Sequence, residues 1–258
     1  LKRSASMVSA LVMMISSAGA YNCSAEGTTV DDSNTNNTRE IVIDGTTAQL
    51  KENMRYRGAG MVSANNSSRL LLDYKAEHPD VYEQIMEYMF GKDGIGITHL
   101  KLEMGADINS SSGTEPSVMR TEDEKADVTR GAAYQLAADA KKINPDLTLD
   151  MLWWSEPKWV SDASDVYAAR YKWYKNTLDA AYETYGLEFD YVSAVQNERG
   201  ADLEWVKYLS SHLKSEKGTP YDYSKIKIVG GEEVCTWGFA DRMYEDSELM
   251  NVVDVVGS

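Results

Sequence analysis

The sequence predicts an α/β fold: a (β/α)8 TIM barrel, truncated after about its sixth strand. Three observations predict it. Strand and helix patterns alternate in the order βαβαβαβαβαβ, which implies a parallel sheet covered by helices. The repeat is roughly 40 residues, the spacing of a barrel whose usual length is ~250 residues. The competing doubly wound sheet would announce itself by a phosphate-binding glycine loop. Gly58-Ala59-Gly60 is only a fragment of one, without the third glycine or a strongly apolar strand before it.

The elements follow in order. Residues 56–62 form a short strand broken by Gly58 and Gly60. A helix over 79–90 has Pro79 at its first position, Val81, Ile85 and Met89 on one stripe, and Gly91 as its stop. Residues 97–104 alternate, with Thr98, Leu100, Leu102 and Met104 on one face. A helix over 126–144 carries Lys141 and Lys142 in its last turn and ends before Pro145. Residues 147–154 form an apolar strand, 165–185 a helix ended by Gly186, and 189–195 a strand. The helix over 202–217 has Trp205, Leu209 and Leu213 on one stripe. Strands over 226–229 and 252–256 flank a short helix near 240–250. Six strands would leave a barrel with two unpaired edges, so the chain is expected to be only part of a domain.

Residues 1–20 read as a secretory signal: basic Lys2 and Arg3, an apolar run from Met7 to Ile15, and Ala18-Gly19-Ala20 for cleavage. A Ser/Thr/Asn-rich flexible leader follows over 21–40, and 41–258 is the partial barrel. The signal leads to an expected extracytoplasmic location, secreted or lysosome-like, and no later stretch is apolar enough to cross a membrane. The net charge of −15 repels phosphate backbones, and no basic stripe offsets it, which argues against nucleic acid as a partner. Two cysteines, Cys23 and Cys235, and three scattered histidines give no metal-ligand spacing, and no cofactor is implied. Whether the cysteines pair is open. Asn-x-Ser/Thr sequons begin at Asn22, Asn36, Asn65, Asn66 and Asn109.

Barrel sites are built from the loops after the strands' C-terminal ends. Here those loops hold Gly113-Thr114-Glu115-Pro116-Ser117, Trp153-Trp154-Ser155-Glu156-Pro157-Lys158-Trp159, Gln196-Asn197-Glu198-Arg199 and Glu232-Glu233. Indole faces and hydrogen-bonding groups together suit sugars, whose rings offer apolar C–H faces and a rim of hydroxyls. A carboxyl group at a strand end beside an amide suits proton donation to a glycosidic oxygen, and Glu198 follows the fourth strand in that way. Glu232 and Glu233 read rather as solvated or structural groups, and Trp153, Trp154 and Trp159 each equally well as packing. Lys101 and Glu103, two apart on the second strand, are expected to pair inside the mouth.

The runs Ser68-Arg69-Leu70-Leu71-Leu72-Asp73-Tyr74, Leu100-Lys101-Leu102-Glu103-Met104-Gly105-Ala106-Asp107, Gly113 to Ser117, Lys141-Lys142-Ile143-Asn144-Pro145, Trp154-Ser155 with Pro157 and Trp159, Asn197-Glu198-Arg199 and Val252 to Gly257 resemble the galactocerebrosidase family, glycoside hydrolase family 59, in colinear order over about 54–258. The resemblance implies a retaining glycosidase that releases galactose from galactosylceramide or related β-galactosides, with a lipid-presenting helper protein as an expected partner. It assigns Glu198 as proton donor and Thr114, Trp154 and Asn197 as sugar-binding residues, with the nucleophile on a seventh strand beyond Ser258. Gln196 replaces the family's tryptophan, and Ala64-Asn65-Asn66 replaces a glycine-rich loop, which leaves open a β-glucosyl or β-xylosyl substrate, or a sugar-binding protein without catalysis.

Overall fold

A computed structural model describes residues 57–109, 112–195, 198–233 and 236–257, which belong to one unit, Arg55–Ser258. The expected signal and leader, Cys23, Cys235, Gln196 and Asn197 lie outside the described residues. Six short strands, β1 (Gly60–Ser63), β2 (His99–Glu103), β3 (Thr148–Leu152), β4 (Tyr191–Ser193), β5 (Lys227–Gly231) and β6 (Val255–Gly257), stand side by side in chain order. Within β1-β2-β3 and β4-β5-β6 every pair is parallel, with Lys101 opposite Asp150 and Val229 opposite Val255. Asp190, just before β4, joins the two sets. Its N–H donates to the Leu149 carbonyl (3.0 Å) and its carboxylate accepts the Leu149 N–H (2.9 Å).

Helices follow the strands: α1 (Arg69–Glu77), α2 (Pro79–Phe90), α3 (Ala133–Ile143), the single-turn α4 (Lys158–Ser161), α5 (Val166–Tyr185), α6 (Leu203–Ser215), α7 (Gly238–Glu245) and α8 (Ser247–Val252). The core lies between sheet and helices. Leu100, Leu102 and Met104 of the β2 segment, Leu149 and Met151 of β3, Val192 of β4 and Ile228 of β5 are fully buried there against Tyr134, Leu136, Trp173, Leu178, Trp205 and Leu209. Each large aromatic buried in this layer removes roughly 150–250 Å² from water, the dominant drive for docking the helices. Asp165 accepts the Ala168 N–H at the start of α5, and Gly186, at φ 69°, ends it in the left-handed conformation that suits glycine. Asp202 caps α6 through the Trp205 N–H.

Several predicted boundaries shift for physical reasons. The buried stripe of α2 is Tyr82, Met86 and Phe90, one position on from the expected Val81, Ile85 and Met89, which flank it half-buried. The helix expected over 126–144 begins only at Ala133, because Asp127 takes the Thr129 N–H and hydroxyl into a local turn. The helix expected near 240–250 is two, divided at Asp246, whose carboxylate caps α8 through the Glu248 and Leu249 N–H groups. Helix α1, with no buried residue, has no counterpart among the predicted elements.

The sheet is strongly curved. In a flat sheet β2 and β5 would stand roughly 14 Å apart, three inter-strand spacings. Yet the Lys101 ammonium pairs with the Glu232 carboxylate at the end of β5. Both side chains therefore point into the concave face, where His99 also meets the Tyr191 ring at 5.7 Å between centroids.

Candidate active site

The C-terminal ends of the strands form one rim, and the concave face beneath it is polar. Lys101 is flanked by Asp150 (3.4 Å) and the Glu232 carboxylate. Burial lowers the Lys101 pKa, and the Asp150 charge opposes that shift. The expected Lys101–Glu103 pair is not formed. Glu103 instead accepts the Asn65 N–H (2.6 Å), because curvature offers Lys101 a better partner three strands away. The signal was present in the sequence: the face of β2 opposite Leu100 and Leu102 is all polar, His99, Lys101 and Glu103.

Glu198 follows β4 with an exposed side chain and a left-handed backbone, φ 66°. Its N–H donates to the Glu232 carbonyl (2.9 Å), and Glu232 is itself left-handed at φ 68°. The Glu232 N–H in turn donates to the Gly257 carbonyl (3.1 Å), so the turns after β4, β5 and β6 are tied in sequence by main-chain bonds. Non-glycine residues in this conformation are uncommon, and two held by one hydrogen bond at strand ends mark a place where local strain is accepted. Glu198 thus stands on the strand-end turn after β4. Glu233 is buried, paired with Arg242 and accepting the Ala201 N–H (3.2 Å). Glu232 and Glu233 are therefore both engaged in ion pairs, and Glu233 is buried, not solvated.

After β3, Trp153 is buried edge-on to Trp173, and the Trp159 indole N–H donates to the Met119 carbonyl, so both are packing groups. Trp154 is half-buried at the rim. Its loop is held by Arg170 of α5, whose guanidinium pairs with Glu156 (2.7 Å) and lies over the rings of Trp153 (5.3 Å) and Trp205 (4.9 Å). After β2, the Thr114 hydroxyl donates to the Asn109 side-chain oxygen. The neighbouring Glu115 is buried and accepts the Asn66 N–H (2.6 Å). Thr114, Trp154 and Glu198 lie in the segments that follow β2, β3 and β4 respectively. Sequence reasoning missed the linking roles of Glu103 and Glu115. Among the described residues no group of three His, Cys, Asp or Glu side chains could hold a metal ion, and no helix is long and apolar enough to cross a membrane.

The fold has close counterparts among solved structures. SrfJ from Salmonella typhimurium matches with a TM-score of 0.59 at 16% identity, over 77% of this chain and 49% of that one. The endo-β1,6-glucanase BT3312 matches at 0.56 and 18%, and the catalytic domain of GH30 xylanase C from Talaromyces cellulolyticus at 0.55 and 14%, again over 77% of this chain and 50% and 51% of theirs. These likenesses establish the α/β architecture. The profile of glycosyl hydrolase family 59 matches residues 56–258, and the chain belongs to that family. It is 33% identical over 211 residues to the galactocerebrosidase of Macaca mulatta, 32% over 211 to that of Homo sapiens and 29% over 208 to that of Danio rerio. Those matches cover 77–79% of this chain, and the chain spans 29% of the length of these relatives.

Proposed function

We propose that this chain forms most of the (β/α)8 barrel of a retaining glycoside hydrolase that releases galactose from galactosylceramide or related β-galactosides, with Glu198 as its acid/base. The observation that carries this reading is the placement of Glu198: after the fourth strand, on the rim, its N–H bonded to the end of the next strand. Family membership supports the reaction class. In this reading the Glu198 carboxyl donates its proton to the glycosidic oxygen as the bond to the aglycone breaks, and the resulting carboxylate then takes a proton from the water that releases the sugar. Trp154 stacks on a sugar face and Thr114 bonds a hydroxyl; Asn197, beside the acid, bonds the 2-hydroxyl, where contacts strengthen in the transition state.

The partner carboxylate, the nucleophile, belongs to a seventh strand outside this sequence. Residues 1–20 act as a secretory signal and 21–40 as a leader, delivering a protein that works in a secreted or lysosome-like setting. A lipid-presenting helper brings the substrate, whose ceramide tails would otherwise stay in a membrane. Assay of the full-length protein on aryl β-galactosides, β-glucosides and β-xylosides tests the reading. Galactoside turnover that falls by about a hundredfold or more in Glu198→Gln is expected, within the range for loss of a general acid/base. Undiminished turnover would overturn the role, and preference for glucoside or xyloside would overturn the substrate.

A further inference from the structure

We propose that Glu103 and Glu115 are positioning residues which lock the loop after β1 onto the Thr114 loop through two buried carboxyls that titrate as a pair. The inference rests on the reading of Thr114 as a sugar contact. Asn65 and Asn66 are consecutive left-handed residues, at φ 54° and 57°. Their successive N–H groups donate to two different carboxyls, Asn65 to Glu103 Oε2 and Asn66 to Glu115 Oε2, each at 2.6 Å. Successive main-chain N–H groups held in a turn make a small anion-binding cradle. Here the cradle is filled by the protein's own side chains.

The surroundings are built around this contact. A Cβ on Gly113, next to Thr114, would collide with the Asn65 carbonyl, so the two loops touch backbone to backbone. A Cβ on Gly131, just before α3, would collide with Glu115 Oε1. Both carboxyls are buried. The titratable group facing them from α3 is the Tyr134 hydroxyl, buried, without a partner among the described residues, and kept neutral by burial and by the two carboxyls. The groups acting on Glu103 are its burial and the Asn65 N–H; those on Glu115 are its burial, the Asn66 N–H and the Glu103 charge, so neither carboxyl is offset by a cation. Two such carboxyls cannot both ionise cheaply, and they titrate as a pair. Glu115 Oε1 is buried without a partner, a place for a proton while Oε2 goes on accepting the Asn66 N–H.

Burial pushes both carboxyls up to about 7, with the Glu103 charge adding to the rise at Glu115. The folded protein therefore binds more protons than the unfolded chain from the ordinary glutamate value of 4.5 up to about 7. Stability contributed by the lock is complete at the acid end of that window and is lost as pH rises through it.

The test separates acceptor from proton. In the full-length protein, Glu115→Leu removes the acceptor and is expected to raise KM for an aryl β-galactoside about tenfold with kcat within about threefold. Glu115→Gln keeps an oxygen for the Asn66 N–H and is expected to restore KM to within about twofold. In the parent, Tm falls between pH 5 and pH 7.5, and Glu115→Gln makes that fall shallower. An unchanged KM in Glu115→Leu, or the same pH slope in parent and Glu115→Gln, overturns the proposal. Should Glu115→Leu not fold, the comparison of parent with Glu115→Gln decides it. A protein that cleaves no β-galactoside refutes the proposed function but leaves the melting comparison able to decide the lock.

Discussion

The two sides of the rim are built by opposite means. On the β1–β3 side the loops are fixed by buried groups: Glu103 and Glu115 hold main-chain amides, Arg170 lies over two indoles while pairing with Glu156, and glycines let backbones touch. On the β4–β6 side a ladder of main-chain bonds joins Glu198, Glu232 and Gly257, and the Glu198 carboxyl is open to solvent. In the proposed function the exposed side carries the proton donor and the buried side is the wall that holds the sugar's shape, which benefits from rigidity. Lys101 spans the two sides across the concave face, through Asp150 and the Glu232 carboxylate.

Lys101→Ala should break the contrast most severely. It leaves Asp150 and the Glu232 carboxylate as mostly buried charges without their cation. Urea denaturation should show a loss of about 4 kcal/mol, in the range for stranding a buried ion-pair partner. Because the Glu232 main chain also holds Glu198, kcat should fall with stability in this variant, which a purely local packing defect would not require.

Arg170→Ala strands Glu156 alone and removes two cation–ring contacts, so a loss of about 3 kcal/mol is expected. If the β1–β3 side is a wall, the kinetic effect should appear in KM, through the Trp154 loop, more than in kcat. At the small end, Asp73→Ala removes an exposed pair with Arg69 on α1, a helix with no buried residue. A change within about 0.5 kcal/mol is expected by the same measurement. A larger loss there would mean that α1 contributes more than its exposure implies.

The same contrast explains what was legible in the sequence. Pro79 with Gly91, and Asp165 with Gly186, bounded α2 and α5 closely, because caps and stops act within a few residues. The order of strands followed from the alternation of patterns. Helix α1 escaped because it buries no residue to mark a core face, Leu70 being 57% exposed. The segment over 126–132 looked helical but is drawn into the wall, where Gly131 abuts Glu115. That Glu198 follows the fourth strand was legible from the order of elements. The partners of Lys101 and Glu103 were not, because sheet curvature brings together residues 131 apart in the chain, Lys101 and Glu232, and no local pattern records curvature.

The central claim is that the Glu198 carboxyl gives its proton to the leaving group. Aryl β-galactosides of graded leaving-group acidity, assayed on Glu198→Ala in the full-length protein, test it most directly. The account predicts near-complete loss of kcat/KM for poorly acidic phenols and a much smaller loss for a dinitrophenyl galactoside, which departs without protonation. An equal loss across the series would contradict it.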